Sequence, residues 1–415
     1  MPSDARIKEI ISTSAKLELK PYEDKVSDEP LVSAELPGSK VKSSKSVKEY
    51  DITEWTLENG VRVLVKPTDF KNDEILFTSY SWGGWSLYSP EDFWSASSAD
   101  NIIDQSGVGS FNATSLEKKL TGKTVNLTPY ISELQQGFNG SCVPKDLETM
   151  LQLTFEYFTE PRKDQEAFDS YIDKQKGALK NRSSDPQSVF FDTVSYVMSG
   201  YNPRNQPRTV STLNRIELDK VYRFYKERFS DASGFTFVFV GTFNPEELKP
   251  LVEKYLGSLP ALNKKEKWMD IGSGYPKGKV ERTVKRGVEP KSTVMLRFNS
   301  PFVYNRNNRN EVTALSKLLN IRLREVLRED KSGVYGVSCS SRPSHFPKEN
   351  LETIVYFGCS PSNVDMLIEA ALGVINEVKG QVCDEKNLIK IKETALRERE
   401  SGLKENQFWL SAIST

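Results

Sequence analysis

The stretch FNGSCVPKDLETMLQLTFEYF, Phe138 to Phe158, and the stretch YFGCSPSNVDMLIEAALGVINEV, Tyr356 to Val378, share one plan. Each ends a strand, turns at a Gly with a Cys and a Pro close by, and runs on as a long amphipathic helix. The next helix repeats too: Ala178 and Leu179 correspond to Ala395 and Leu396, and Phe191 to Phe408, at a constant offset of 217. A fixed offset across several elements is the mark of an internal repeat. The chain therefore reads as α+β, with two tandem homologous domains, each a mostly antiparallel sheet packed by helices. At that offset Thr415 falls opposite Met198, before the strand and last helix that close the first copy at Pro260. The second copy is thus expected to be incomplete and the gene product to continue beyond Thr415, which the reading frame or an intact mass from native source tests.

Outward from the repeat, the pattern divides the chain. Residues 1–47 read as a tether, with a short amphipathic helix around Ala5 to Leu17 followed by PYEDKVSDEPLVSAELPGSKVKSSKS, rich in proline, serine and charge. The first domain, 48–260, opens with DITEWTLENGVRVLVKPTD, whose alternation around Asn59 and Gly60 predicts a hairpin, and DEILFTSYSWGG adds a strand. Helical spacing follows in SASSADNIIDQ, TSLEKKLTG, PKDLETMLQLTFEYFT and DQEAFDSYIDKQKGALK. A buried strand, SGFTFVFVG, and a helix, PEELKPLVEKYLGSL, close the domain. Residues 261–277 read as a linker and 278–415 as the second, truncated domain. The aromatic run SYSWGGWSLYSPEDFW, Ser79 to Trp94, reads as core and loop anchors rather than a peptide-binding surface.

Lysine plus arginine equals aspartate plus glutamate at 57 each among 415 residues, so no net field favours nucleic acid or an anionic membrane. No apolar run approaches the roughly 20 residues of a membrane span. Cys142, Cys339, Cys359 and Cys383 lack CxxC spacing and read as free, buried thiols. His345 is the single histidine and sits between prolines in SRPSHFPKEN, which nearly excludes histidine chemistry: a hydrolytic zinc site usually takes two or three histidines, and a loop histidine is a poor candidate for a base. No carboxylates and thiols cluster at ligand spacing, which disfavours an independent metalloenzyme of other ligands.

Four stretches, WTLENGVRVLVKPT, SGVGSFNATSLEKKLTGKTV, VGTFNPEELKPLVEKYLGSLP and LREVLREDKSGVYGVS, resemble in order the pitrilysin or insulinase family of inverted zinc metallopeptidases, whose fold the mitochondrial processing peptidases share. From Tyr50 onward the chain is similar to the C-terminal, non-catalytic half of the two-halved bacterial periplasmic zinc proteases. The family's active domain carries His-x-x-Glu-His on its first helix, two histidines for the metal and a glutamate for the attacking water. The matching window here is SADNI: Ser98 and Ile102 stand for the histidines and Asn101 for the glutamate, a degenerate metal motif. The distal glutamate ligand falls near Gly177 and Ala178, where there is no carboxylate. Asp100 and Asp104, one turn apart, read as an exposed helix face rather than a cation site. The resemblance thus implies no metal or other cofactor in this chain and zinc in the N-terminal half.

In two-halved members the last domain faces the zinc across a closed chamber and contributes an arginine and a tyrosine seven residues apart. Arg328 and Tyr335 match that spacing, with the tyrosine after a Gly and a small apolar residue. The resemblance implies that they complete the site of the other half, in hydrolysis of a peptide bond. A phenol or guanidinium aimed at the oxyanion stabilises its transition state, and the arginine can also hold a substrate carbonyl. The implied partners are the N-terminal half of the same polypeptide and a peptide substrate, with neither nucleic acid nor membrane, and the implied compartment is the periplasm. The bland alternative makes Arg328 a solvated charge and Tyr335 a core-packing strand residue. The alternative function is a non-catalytic peptide-binding or scaffold protein of the same fold, like partner subunits and respiratory-complex core subunits that share it without proteolysis.

Overall fold

Asn59 and Gly60 form the tight turn expected of them, Gly60 at φ +90° where a side chain is strained. In the computed structural model, which describes residues 3–14, 16, 27–272, 274–381 and 383–414, that turn joins β2 and β3 of a seven-stranded sheet. Its strands are β1 (Val41–Val47), β2 (Ile52–Leu57), β3 (Arg62–Pro67), β4 (Ile75–Trp82), β5 (Val125–Ile131), β6 (Gln135–Cys142) and β7 (Thr236–Gly241), ordered β1-β2-β3-β7-β4-β6-β5. All neighbours are antiparallel except β3 and β7. A second sheet holds β8 (Ser292–Pro301), β9 (Val334–Ser344) and β10 (Asn350–Cys359), ordered β8-β10-β9 and antiparallel. Strands and helices are mixed along the chain with antiparallel pairing dominant, which is the α+β class expected.

The alternation in β4 puts Ile75, Phe77, Ser79 and Ser81 inward. There Phe77 meets Phe237 and Phe239 across the sheet, and Phe138 packs on Phe158 and Phe229 from the helices Leu147–Thr159 and Leu218–Arg228 and their ends. Every residue of β7 is buried. Phe237 and Phe239 face the helices, while Val238 and Val240 face Leu410, Trp409 and Ile413 of the helix Asn406–Ser414. A strand covered on both faces is a continuous apolar run, as SGFTFVFVG is.

That last helix belongs, by sequence, to the other end of the chain. Its first residue, Asn406, is 1 % exposed, accepts from the Thr68 hydroxyl at 2.6 Å and donates to Glu74 at 2.9 Å. Trp409 lies over the Lys66 ammonium at 4.2 Å and against Tyr50. The helix Pro186–Met198 makes the reverse crossing, with Phe191 stacked on Tyr356 of β10 at 6.3 Å and 18°. Each sheet therefore receives on its outer face a helix from the opposite part of the chain.

The two quoted stretches fold alike. One runs from β6 through the 3₁₀ turn Pro144–Asp146 into Leu147–Thr159, the other from β10 through Pro361–Asn363 into Val364–Gly380. The second sheet buries Val355, Phe357, Leu367, Ala371 and Val374 in a core of its own.

The tether is shorter than the sequence suggests. The segment 17–26, including Leu17 at the end of the expected first helix, lies outside the described residues, and the helix Asp4–Ser14 buries nothing. From residue 27 on, however, the chain lies on the first sheet's unit: Leu31 joins its core, and Ser39 and Val41 donate backbone N–H groups to Glu253. Val41–Val47 is the edge strand β1. Its sequence, VKSSKSV, carries no apolar alternation because neither face is covered, so only backbone pairing with β2 makes it a strand. After the helix Pro245–Tyr255 no regular element occurs among the described residues until β8, so the irregular run outlasts the expected linker. It is pinned by Arg228–Glu266 at 2.9 Å, by Met269 N–H on Ser86 Oγ at 3.0 Å and by Trp268 on Phe346. All four cysteines are free, two of them buried.

Glu156, on the inward side of Leu147–Thr159, is 5 % exposed. Burial, and then the neighbouring charge of Glu160, push its carboxyl up to about 7. The folded protein therefore holds a proton that the unfolded chain releases near pH 4.3. The sign follows: this contribution to stability is full below about pH 4.3 and is lost as pH rises toward 7, by roughly 2–3 kcal/mol. Glu156→Gln is expected to match the wild type at pH 4.5 and exceed it by roughly 1–3 kcal/mol at pH 8 in urea titrations. The same change at both pH values would show that the carboxyl is not neutralised by folding.

Candidate functional site

The window SADNI opens the helix Ala99–Ser106. Ser98 is fully buried and its hydroxyl has no partner among the described residues, Ile102 is a core residue, and Asn101 turns its amide onto Asp100 at 2.9 Å. These groups do not fit zinc: isoleucine has no donor atom, and the amide and the hydroxyl are neutral, weak ligands. Among the described residues no three His, Cys, Asp or Glu side chains converge as a metal site. The reading of Asp100 and Asp104 as an exposed face is corrected. Asp100 is 9 % exposed and accepts the Ile131 N–H at 3.0 Å, and Asp104 accepts the Tyr157 hydroxyl at 2.8 Å. Burial raises both carboxyls. They tie the helix to β5 and to Leu147–Thr159, a structural task that spacing alone does not reveal.

Arg328 and Tyr335 lie at one corner of the second unit. The helix Arg306–Leu323 continues into a π-helical segment, Arg324–Asp330, anchored by Leu327, which is fully buried. Wide turns of this type concentrate at functional sites. The chain then reverses through Ser332, at φ +49°, and Gly333, whose N–H bonds Leu327 O at 3.1 Å. A Cβ at Gly333 would stand 2.7 Å from Leu367, so the corner fits closely on the helix Val364–Gly380.

The strand that follows contains a bulge. Val337 pairs with Phe357 and Val334 with Cys359, so Tyr335 and Gly336 together oppose Gly358. The extra residue lets Val334 and Val337, three apart, both face the core, and it aims Tyr335 away from it. Tyr335 is wholly exposed and Arg328 is exposed, and neither has a hydrogen bond or ion pair among the described residues. The core-packing reading of Tyr335 is thereby wrong. A tyrosine without buried contact or partner at a bulged corner is unusual for a residue whose ring contributes to stability mainly through burial.

Beyond the bulge, Ser338, Ser340, Arg342 and Ser344 alternate onto the open face of the second sheet. With Tyr356, Arg297 and the helix Pro186–Met198 they bound a cleft of about 1330 Å³. Arg297 is held there by Glu352. The alternation in SCSSRPS was the available signal for this polar face, and the sequence reading passed over it. The aromatic run divides: Phe93 and Trp94 are core, as expected, whereas Trp82 packs on Phe346 at 4.9 Å, across the two units. His345, in the turn between β9 and β10, pairs with Glu349 at 3.0 Å and stacks on Tyr304.

A family model described as the peptidase M16 inactive domain matches residues 215–394. The fold and this match liken the chain, over residues 215–394, to the inactive domain of M16 peptidases. Over its length the chain resembles the C-terminal half of a two-halved zinc protease. It is 26 % identical over 410 residues to an Arabidopsis thaliana zinc protease described as PQQL-like, covering 95 % of this chain and 40 % of the relative. The crystal structure of the periplasmic protease PqqL from Escherichia coli superposes on all of it at a TM-score of 0.81 with 21 % identity, using 45 % of the PqqL chain. A ferredoxin protease, FusC, in complex with Arabidopsis ferredoxin, covers 98 % of it at a TM-score of 0.78 and 19 % identity, using 44 % of that chain. The chain thus spans about two fifths of its curated relative's length.

Proposed function

We propose that this chain is the non-catalytic C-terminal half of a zinc endopeptidase, one that encloses a peptide and supplies Arg328 and Tyr335 to an active site carried by an N-terminal half of the same polypeptide. The observation that carries the proposal is Tyr335, fully exposed on a bulge and without a hydrogen-bond partner among the described residues, with Arg328 exposed in the π-helical segment that precedes it. A phenol held on a rigid corner loses little entropy when it donates a hydrogen bond to the oxyanion formed as the peptide bond is attacked. Arg328 gives the longer reach and holds a backbone carbonyl of the substrate. The metal, held elsewhere, supplies the activated water. The two quoted stretches support a tandem origin of the two units, and the likeness to a periplasmic protease supports a periplasmic location.

The test is hydrolysis of a quenched fluorescent peptide, with zinc present, by this chain alone and after mixing with the separately expressed N-terminal half. Activity is expected only in the mixture. No activity in a mixture that demonstrably associates would favour the second reading, a peptide-binding scaffold, for which the 1330 Å³ cleft between the second sheet and Pro186–Met198 is the supporting feature.

A further inference from the structure

Between Pro203 and Pro207 the chain carries Arg204, and Arg208 follows directly, so two guanidinium groups four residues apart sit on a stiff loop. The loop closes a second cavity, of about 580 Å³, whose other walls are Trp85, Phe93, Trp94 and the end of the helix Gln165–Arg182. Arg182 also faces it, but Asp192 neutralises that charge, accepting from Nε at 3.0 Å and from Nη2. Among the described residues, Asp192 is the sole acid on the wall.

Among the described residues, neither Arg204 nor Arg208 has a carboxylate within ion-pair distance. Arg204 donates from Nη2 to the Tyr88 carbonyl, while its Nη1 is buried without a partner among the described residues. Its guanidinium stands 5.8 Å from the Trp85 ring and 5.9 Å from Phe93. Arg208 makes one long bond, 3.4 Å, to the Tyr171 hydroxyl and lies 6.0 Å from Trp94. Glu91 and Glu133 act on Arg204 only through space, and burial outweighs them, lowering its affinity for the proton although guanidinium stays charged. A buried donor left unpaired costs about 1–3 kcal/mol, so a small shift of the guanidinium that brought Nη1 to the cavity surface and onto a ligand oxygen would recover stability that the free protein lacks. Ser195 and Asn205 line both this cavity and the larger cleft, so the two adjoin.

We infer that this cavity is a subsite for the free C-terminal carboxylate of a peptide, the carboxylate taken by Arg204 and Arg208 and the last side chain by the tryptophan and phenylalanine walls. Planar guanidinium forks suit a two-oxygen acceptor. The aromatic walls call for an apolar body attached to the anion, which inorganic phosphate does not offer. The inference draws on the peptide chemistry of the proposed function but not on Arg328 or Tyr335.

The experiment titrates this chain with the N-acetylated tripeptide alanyl-leucyl-phenylalanine as free acid, with its C-terminal amide, and with inorganic phosphate, followed by calorimetry and tryptophan fluorescence. The free acid is expected to bind at least about tenfold more tightly than the amide, which is about 1.4 kcal/mol. Arg208→Gln and Arg204→Gln are each expected to weaken the acid by a similar factor and leave amide binding unchanged. Arg208→Gln, partly exposed, should melt with the wild type and so separate recognition from folding. Equal binding of acid and amide, no binding, indifference to Arg208→Gln, or displacement by equimolar phosphate would each overturn the assignment. None of these outcomes alters the Tyr335 test, in which hydrolysis by the assembled halves is read instead.

Discussion

Tyr335→Phe lowers kcat of the assembled protease about 100- to 1000-fold, the cost of removing one preorganised donor to an oxyanion, while KM changes little. The substitution deletes one hydroxyl from a side chain that is wholly exposed and touches no core residue. Its melting temperature and its association with the N-terminal half should therefore equal those of the wild type. Arg328→Ala differs in kind, because a group that holds a ground-state carbonyl acts on binding: KM rises several-fold and kcat falls less than in Tyr335→Phe. The bulge permits a third comparison. Deleting Gly336 would remove the bulge and leave Tyr335 alone opposite Gly358, still outward between Val334 and Val337 but presented from a flattened strand. If Tyr335→Phe retains most of the activity in a verified assembly, the completing role is wrong, whatever the front half contributes.

The largest loss of stability is expected for Phe138→Ala. Phe138 is fully buried, and its ring lies 4.9 Å from Phe229, 5.8 Å from Phe158 and 6.2 Å from Tyr157, so β6 is joined through it to helices from two parts of the first unit. Its N–H is held by Ser79 Oγ at 3.0 Å, and the adjacent Gly137 packs so tightly that a Cβ there would lie 1.9 Å from Ser79 O. A framework this close cannot collapse onto a vacated ring, and a loss of about 3–5 kcal/mol follows from transfer plus cavity terms. Two cores make a single two-state transition unsafe to assume, so the readout is the urea transition of the first unit, followed by near-ultraviolet circular dichroism from its aromatic cluster. A loss under about 1 kcal/mol would mean that the ring is not the keystone its contacts suggest.

Local chemistry made much of this legible. Asn59-Gly60 named a hairpin, the unbroken apolar run in SGFTFVFVG named a strand covered on both sides, and the two Gly-Cys-Pro stretches named two strand-to-helix turns of one design. Each of those signals depends on residues close in sequence. Other features escaped because they depend on distant partners. VKSSKSV is a strand only because β2 offers it a backbone edge, and Asp100 is buried only because β5 brings the Ile131 N–H to it. The arginine cavity joins a proline-bracketed loop to aromatics over a hundred residues earlier, and no spacing rule links them.

By itself, then, the sequence determined that the chain is α+β, that one histidine cannot make a two- or three-histidine zinc site, and that Ser98, Asn101 and Ile102 cannot hold zinc, because composition and donor chemistry do not depend on the fold. Only the tertiary structure decided that Tyr335 points away from the core, since it is the packing of Val334 and Val337, three residues apart across a bulge, that sets which side of the strand is covered. The tertiary structure also decided that the helix Asn406–Ser414 seals the first sheet and Pro186–Met198 faces the second, leaving the cleft between them. The physical reason is one of range: turn geometry, alternation and ligand chemistry act within a few residues, whereas burial and the direction of an exposed side chain are set by whatever surfaces the whole chain brings together.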